Sequence, residues 1–193
     1  MRRTVQLAVK HSLDRFLAAV FLCLLAPVLL VIAVAILVES GRPAVFVQPR
    51  IGRGGRRFPV YKFRTMVHGD VRITRIGAFL RSWSLDELPQ LVNVLKGEMS
   101  LVGPRPTLAY QVGRYTPFQR RRLEMHAGIT GWAQVNGRNT LSWIQRIDLD
   151  VWYVDHFSLL LDVRILCRTM GVVFRRKGLY GPCGVNDEFR PLI

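Results

Sequence analysis

Two adjacent acidic side chains have the clearest capacity for chemistry in this sequence. Acidic residues are scarce, 13 among 193, yet Asp86 and Glu87 stand side by side. An aspartate can attack phosphorus and carry the phosphoryl group, and a neighbouring glutamate can bind Mg²⁺ beside a diphosphate. The alternative is structural, because Ser84 and Glu87 match the S-x-x-E box that caps a helix. Pro89 would then clash within that helix, so both interpretations stay open.

Cationic side chains elsewhere in the chain have patterns that suit phosphate binding. Arg105 lies between two prolines, which restrict its backbone and favour a pre-set guanidinium for bidentate contact with phosphate. Lys62 and Arg64 alternate with aromatic residues and would share one face of a strand. For that pair the alternative is a solvated strand edge.

The segment 128–139 is rich in glycine and in hydrogen-bond donors. Gln134, Asn136 and Arg138 are its most polar members, and Trp132 adds an aromatic ring. Such a loop can close over a nucleobase or a sugar, or it can be an ordered turn without a ligand. No metal-ligand spacing such as H-E-x-x-H occurs, and three widely spaced cysteines argue against a disulfide framework and against a zinc site.

Charge and hydropathy restrict the partners of the chain. The net charge is +15 and half of the residues are hydrophobic. A strongly basic surface attracts polyanions such as nucleic acids, anionic lipid headgroups or phosphorylated substrates. Much of the apolar composition lies in one uncharged run from Phe16 to Val38, which is long enough to cross a bilayer as a helix.

Two features of this run favour a re-entrant hairpin as much as a simple span. Pro27 lies in its middle, where proline kinks a helix. Both flanks are strongly basic, and basic residues prefer the cytoplasmic side of a membrane. A hairpin bent at Pro27 keeps both flanks on that side, whereas a span carries one of them across. The residues alone favour neither the hairpin nor the simple span.

The remaining chain predicts an α+β fold that is mainly helical. Short strands are expected within 44–66, loops at 97–106 and 126–139, and helices over 74–96 with a break near Pro89, 107–125 with a break near Pro117, and 141–156. The segment 159–176 is amphipathic, with Val163, Met170 and Phe174 on one face and arginines, Arg176 among them, largely on the other. It either packs on the core or lies on an anionic membrane surface.

Taken together and in this order, these segments resemble the bacterial sugar transferase family, the small monotopic phosphoglycosyl transferases. The similarity extends from about residue 8 to about residue 181. The matching stretches are 61–66, 72–77, 84–91, 93–97, 99–106, 128–139 and the set Asp148, Leu149, Asp150, Tyr153 and Val154.

The resemblance implies a reaction for the acidic pair. Asp86 matches the family nucleophile and Glu87 its metal-binding partner, with Mg²⁺ as cofactor. The aspartate attacks the sugar-bearing phosphate of a UDP-sugar, UMP leaves, and polyprenol (undecaprenyl) phosphate takes the sugar phosphate from the resulting phosphosugar-aspartate in a ping-pong sequence. Such transfer initiates bacterial glycoconjugate or exopolysaccharide synthesis. Phosphate-binding roles follow for Lys62, Arg64 and Arg105.

The resemblance also implies a membrane arrangement. The family has a re-entrant helix–break–helix hairpin, and its proline matches Pro27, although Ala26 stands where serine is common. We therefore expect a single domain over 1–193, with an interfacial lead-in (1–15), a re-entrant membrane helix (16–39), a catalytic region (40–181) with interfacial amphipathic helices, and a tail (182–193). The expected location is the bacterial cytoplasmic membrane with the site on its cytosolic face. Expected partners are the UDP-sugar, polyprenol phosphate and anionic lipids, with a second copy of the chain as a further candidate and no nucleic acid.

Two rival functions remain at this point. The net charge also suits a membrane-tethered module that binds nucleic acid, but such a module has no need for Asp86 and Glu87 within a cationic setting. A single-span glycosyltransferase that releases UDP is the second rival. Release of UMP rather than UDP separates that enzyme from a phosphoglycosyl transferase.

Overall fold

The computed structural model describes residues 2–67 and 72–175, which form a long N-terminal helix and a mixed domain packed along it. The fold is mainly helical with short strands, as expected. The helices are α1 (Arg2–Ser40), α2 (Arg75–Ser82), α3 (Gln90–Lys96), α4 (Ala109–Val112), α5 (Pro117–Arg120), α6 (Trp132–Val135), α7 (Trp143–Asp155) and α8 (Leu159–Phe174). The strands are β1 (Val45–Ile51), β2 (Arg57–Phe63), β3 (Met99–Val102) and β4 (Ala127–Thr130). The tail 182–193 and Arg176 lie outside the described residues.

The strands form two separate pairs. β1 and β2 make the antiparallel hairpin predicted within 44–66, with Val45 opposite Phe63. β3 and β4 pair in parallel, with Met99 opposite Ala127, so the loops predicted at 97–106 and 126–139 are wrong for these residues. All four residues of β3 are buried, so the alternation that marks a strand is absent.

The core lies where α1, α3, β3, α7 and α8 meet. One residue from each of these elements is at most 1% exposed: Ala18, Val94, Val102, Val154 and Ile165. Helix α8 packs on the core through Ile165, which is not among the residues of the predicted apolar face. A second apolar stripe of α8, which includes Val163, Met170 and Phe174, stays exposed.

Helix α1 is long and apolar enough to cross a membrane, by length and composition. The predicted break at Pro27 is not confirmed, because helical structure continues from Arg2 to Ser40 through this proline. Pro27 has no N–H, so the carbonyl of Cys23 loses its partner in the helix. Helices in membranes tolerate such a loss.

Both ends of α1 are bonded to the domain. Near its start the guanidinium of Arg3 donates to the carbonyl of Val154 over 2.8 Å. At its end the carboxylate of Glu39 accepts from the backbone N–H of Arg75 over 2.8 Å. Both ends of the helix therefore contact the same folded unit.

The first residues of α1 coincide with the predicted interfacial lead-in, whose location at the membrane surface stays a prediction. They belong to α1, and two of their charges point inward: Lys10 is 3% exposed and Asp14 is 7% exposed. The Lys10 ammonium contacts the carboxylate of Asp162 on α8 at 2.6 Å, and Asp14 accepts from the hydroxyl of Ser100 on β3. This face of the segment is buried against the domain, because its charged side chains pair with polar groups of α8 and β3.

Arg64 fixes the end of α1. Its guanidinium donates to the carbonyls of Ser40 at 2.8 Å and Arg42 at 2.9 Å, and also to the carbonyl of Gly41. Carbonyls at a helix end carry partial negative charge and lack helical partners. β2 ends at Phe63, so Arg64 departs from the strand face that it was predicted to share with Lys62.

We expect the substitution Arg64→Gln to destabilise the protein, because it leaves buried carbonyls without a charged donor. The loss should be about 2–3 kcal/mol, which lowers the unfolding temperature by about 4–12 °C for a chain of this length. Thermal unfolding of the detergent-solubilised protein measures it. Arg56→Gln, at an exposed arginine, is the matched control. An equal, small change in both variants would contradict the role of Arg64 at the helix end.

Candidate active site

The acidic pair lies in a tight turn between two helices. Asp86 and Glu87 belong to a 3₁₀ turn, Leu85–Glu87, which separates α2 from α3. Ser84 before it has a left-handed backbone (φ 57°) and its side chain caps nothing. The capping-box interpretation is therefore wrong, and α3 starts only after Pro89, which confirms the predicted break.

Glu87 is held by two cations from separate parts of the chain. Its Oε1 atom accepts from Lys62 Nζ on β2 at 2.7 Å and from Arg105 Nη2 at 2.6 Å. Burial alone would raise the pKa of Glu87, but the charges of Arg105 and Lys62 outweigh it and hold that pKa well below its usual range. Glu87 is therefore ionised, and its orientation is fixed.

The carboxylate of Asp86, in contrast to that of Glu87, is not held by cations of the described chain. Among the described residues, none makes a hydrogen bond or an ion pair with its half-buried carboxylate. Burial raises the pKa of Asp86, and the charge of Glu87 raises it further, while Lys62 and Arg105 oppose this rise. One carboxylate of the pair is thus engaged by fixed cations, and the other retains all of its acceptor capacity.

Arg50 is a residue of the site that the sequence reasoning missed. Its guanidinium donates to Gln48 Oε1 at 2.6 Å. Burial and the nearby charge of Arg105 lower the pKa of Arg50 to about 10, while Glu87 opposes this change. Because Phe46 is opposite Lys62 in the hairpin, Gln48 and Arg50 lie on the same face as Lys62. That alternation is the signal in the sequence that could have identified Arg50.

A cleft of about 490 Å³ lies beside the pair, and four of its nine lining residues are arginines. Its lining comprises Arg105, Arg122, Ala133, Gln134, Arg138, Asn139, Trp143, Arg146 and Asp150. Four arginines against one aspartate make it a site for an anion. Arg105 joins the cleft to Glu87, and Arg138 joins it to the same turn by donating to Ser84 Oγ at 2.9 Å.

Buried polar atoms in this cleft lack partners in the described part of the chain. They include both amide atoms of Gln134 and one terminal nitrogen each of Arg138 and Arg146. Buried polar groups are nearly always bonded in native proteins, so this set indicates a polar ligand. Of the predicted loop residues, Gln134 and Arg138 line the cleft, while Asn136 uses its amide nitrogen to cap α6 at the carbonyl of Trp132.

The structure therefore brings together Asp86, Glu87, Lys62, Arg105 and Arg138. It does not bring Arg64 to this group, because its guanidinium is bonded at the end of α1.

The acidic pair fits a single Mg²⁺ ion with substrate phosphates. No group of three or more metal-ligating side chains occurs within residues 2–67 and 72–175. Mg²⁺ is commonly bound by one or two carboxylates together with phosphate oxygens and water. The unbonded carboxylate of Asp86 and the remaining acceptor capacity of Glu87 provide this donor set, while the diphosphate must supply the rest.

Comparison with known proteins identifies a family for this chain. The family model of the bacterial sugar transferases matches residues 5–176. An uncharacterised sugar transferase, EpsL, of Bacillus subtilis is 46% identical over 89% of this chain and 90% of its own length.

Two functionally named relatives are longer proteins. The undecaprenyl-phosphate galactose phosphotransferase of Salmonella typhimurium is 38% identical over 86% of this chain and 42% of its own length. The UDP-glucose:undecaprenyl-phosphate glucose-1-phosphate transferase of Xanthomonas campestris is 43% identical over 86% of this chain and 39% of its own length. The chain thus spans less than half of these two relatives. Since the family model covers most of the sequence, this chain belongs to the bacterial sugar transferase family.

Proposed function

We propose that this protein transfers a sugar 1-phosphate from a UDP-sugar to polyprenol phosphate and releases UMP. One observation carries the proposal: within the described residues Asp86 has an unbonded carboxylate, and Lys62 and Arg105 hold the neighbouring Glu87 in place. The named relatives support the substrates, since one uses UDP-glucose and both use undecaprenyl phosphate. The sugar itself stays open.

The reaction proceeds in two displacements at one phosphorus atom. An oxygen of Asp86 attacks the phosphorus that bears the sugar, and the bond from that phosphorus to the oxygen of UMP breaks. A phosphosugar-aspartate remains. A phosphate oxygen of the polyprenol phosphate then attacks the same phosphorus, and the carboxylate of Asp86 leaves unchanged. Covalent catalysis of this kind divides one difficult step into two easier ones.

The cations around the pair have distinct tasks in this scheme. Lys62 and Arg105 contact Glu87 and lie where negative charge gathers on the reacting phosphate, which fixed cations stabilise. Arg138 and Arg146 contribute unpartnered nitrogens to the cleft, where they would bind the leaving UMP. Mg²⁺, bound by Glu87 and Asp86, would neutralise the diphosphate.

We further propose that α1 is a re-entrant membrane segment with both ends on the cytosolic face of the cytoplasmic membrane. Leu25 before Pro27 and Leu29 after it both pack against the domain, and both helix ends are bonded to it. A straight span would carry one end away from these contacts. The exposed apolar stripe of α8 would then lie at the lipid surface. A homodimer stays a prediction.

The proposed reaction is tested by supplying nanodisc-held protein with Mg²⁺, undecaprenyl phosphate and a panel of UDP-sugars. We expect UMP release from one or more donors, and a rate at least about 10³-fold lower for Asp86→Asn, since that variant lacks the nucleophile. Glu98→Gln, which removes an acidic group that is not part of the acidic pair, is the control and should keep the wild-type rate. UMP release that persists in Asp86→Asn would instead indicate direct attack by the lipid phosphate.

The membrane arrangement predicts that both ends of α1 are accessible from the same side. Single cysteines at the exposed positions Thr4 and Arg42, each in a variant with Cys23, Cys167 and Cys183 replaced by serine, should react with a membrane-impermeant maleimide in inverted vesicles only. Spheroplasts, which present the other side, provide the control. Labelling of one position in each preparation would show a simple span.

A further inference from the structure

A buried ion pair lies directly beneath the backbone of Arg105. Arg122, in the 3₁₀ turn before β4, and Asp150, on α7, are each 1% exposed, and their Nη2 and Oδ2 atoms are 2.5 Å apart. Burying two charges costs much of what their attraction returns, so such a pair is weak evidence for a role in stability. Its hydrogen bonds to neighbouring groups point to another role.

Arg122 contacts one end of the segment 105–107, at Arg105. Its Nη2 atom donates to the carbonyl of Arg105 over 3.0 Å. Arg105 also lies between Pro104 and Pro106, which limit the rotation of its backbone. The position of the Arg105 Cα atom is therefore set by the buried pair and by the two prolines.

Arg122 reaches the other end of this segment through a chain of hydroxyl groups. Its Nη1 atom donates to Tyr115 Oη over 2.7 Å, Tyr115 Oη is 2.7 Å from Thr107 Oγ1, and Thr107 Oγ1 donates to Gln111 Oε1 over 2.6 Å. A guanidinium only donates and an amide oxygen only accepts. Tyr115 must therefore donate to Thr107, and every proton in the chain points away from Arg122.

The charge of Arg122 is balanced at its other side. Asp150 accepts from it, and burial raises the pKa of Asp150 to about 6 while the charge of Arg122 opposes this rise. At neutral pH both partners are ionised. The side chain of Arg105, in contrast, is 46% exposed, so the point from which its guanidinium extends is set by the backbone rather than by close packing.

We propose that Arg122 and Asp150 are positioning residues that fix the backbone of Arg105, so that its guanidinium reaches Glu87 and the reacting phosphate. The pair acts through Arg105 and touches neither Glu87 nor Asp86 in the described structure. The catalytic part of this proposal rests on the proposed function, whereas the anchoring of the 105–107 segment does not.

A double-mutant cycle between Arg122→Lys and Arg105→Lys tests the catalytic part. Lysine keeps a charge for Asp150 but has no planar fork to reach the Arg105 carbonyl and Tyr115 together. We expect Arg122→Lys to slow UMP release by about ten- to a hundredfold, since misplacement by about 1 Å has effects of this size. In the Arg105→Lys background the same change should cost less than about twofold, because the residue to be positioned is gone.

Asp162→Asn is the matched control for general loss of stability. Asp162 is also a buried acid, paired with Lys10 on α1, and it contacts no residue of the site. Its effect on the rate should be the same whether residue 105 is arginine or lysine. Effects of Arg122→Lys that multiply in the same independent way would overturn the positioning role.

Hydrogen exchange tests the anchoring without any turnover. The backbone amides of Arg105 and Thr107, followed by mass spectrometry in the peptide that covers 103–108, should exchange faster in Arg122→Lys than in the wild-type protein or in Asp162→Asn. Unchanged exchange in Arg122→Lys would overturn the proposal even if the wild-type protein releases UMP. Faster exchange in a protein that releases no UMP would support the anchoring and contradict the proposed function.

Discussion

The shared contact of Lys62 and Arg105 with one oxygen of Glu87 is the interaction on which the site depends. It joins β2, the turn after α2 and the loop after β3, which are distant in the chain. A half-buried carboxylate needs such partners, because its charge would otherwise lose hydration without compensation. With Glu87 held in this way, Asp86 beside it stays unbonded within a field of positive charge. The two carboxylates therefore have different environments although they are neighbours in sequence.

The rest of the fold supports this arrangement by holding three segments at fixed positions relative to one another. The β1–β2 hairpin places Lys62 and Arg50 on one face. The parallel pairing of β3 with β4 brings the Arg105 loop beside the loop that carries Gln134 and Arg138. Gly128 allows this approach, since a Cβ atom there would lie 2.1 Å from the backbone nitrogen of Gly103. Helix α1 packs along the domain, and its apolar length suits the proposed contact with the membrane.

Much of this arrangement could be predicted from the sequence, and there are physical reasons why the rest could not. The acidic pair, Arg105 between prolines and the break before α3 are local patterns, so residue types and spacing reveal them. Pairing between β3 and β4 is not local, and both strands are short and buried, so no alternation marks them. Arg64 was assigned to a phosphate because a strand pattern places it beside Lys62, yet the strand ends one residue earlier and Arg64 turns to the end of α1.

The pair of Arg122 and Asp150 could not be predicted from the sequence either. Its partners, Tyr115 and Thr107, come from turns with no periodic pattern, and their hydrogen bonds exist only in the folded chain. The family motif around Asp148 and Asp150 drew attention to the region but did not tell which of the two faces inward. Burial decides this, since Asp150 is 1% exposed.

If Asp86 is the nucleophile, its carboxylate attacks the donor phosphate before any lipid acceptor takes part. The most direct measurement is rapid-quench release of UMP from the reactive UDP-sugar with Mg²⁺ and no polyprenol phosphate, followed by the mass of the peptide that contains Asp86. The covalent role of Asp86 predicts a burst of about one UMP per active site and a peptide heavier by one sugar phosphate, since covalent intermediates accumulate in this way. UMP release that requires the lipid acceptor, with an unmodified peptide, would contradict it.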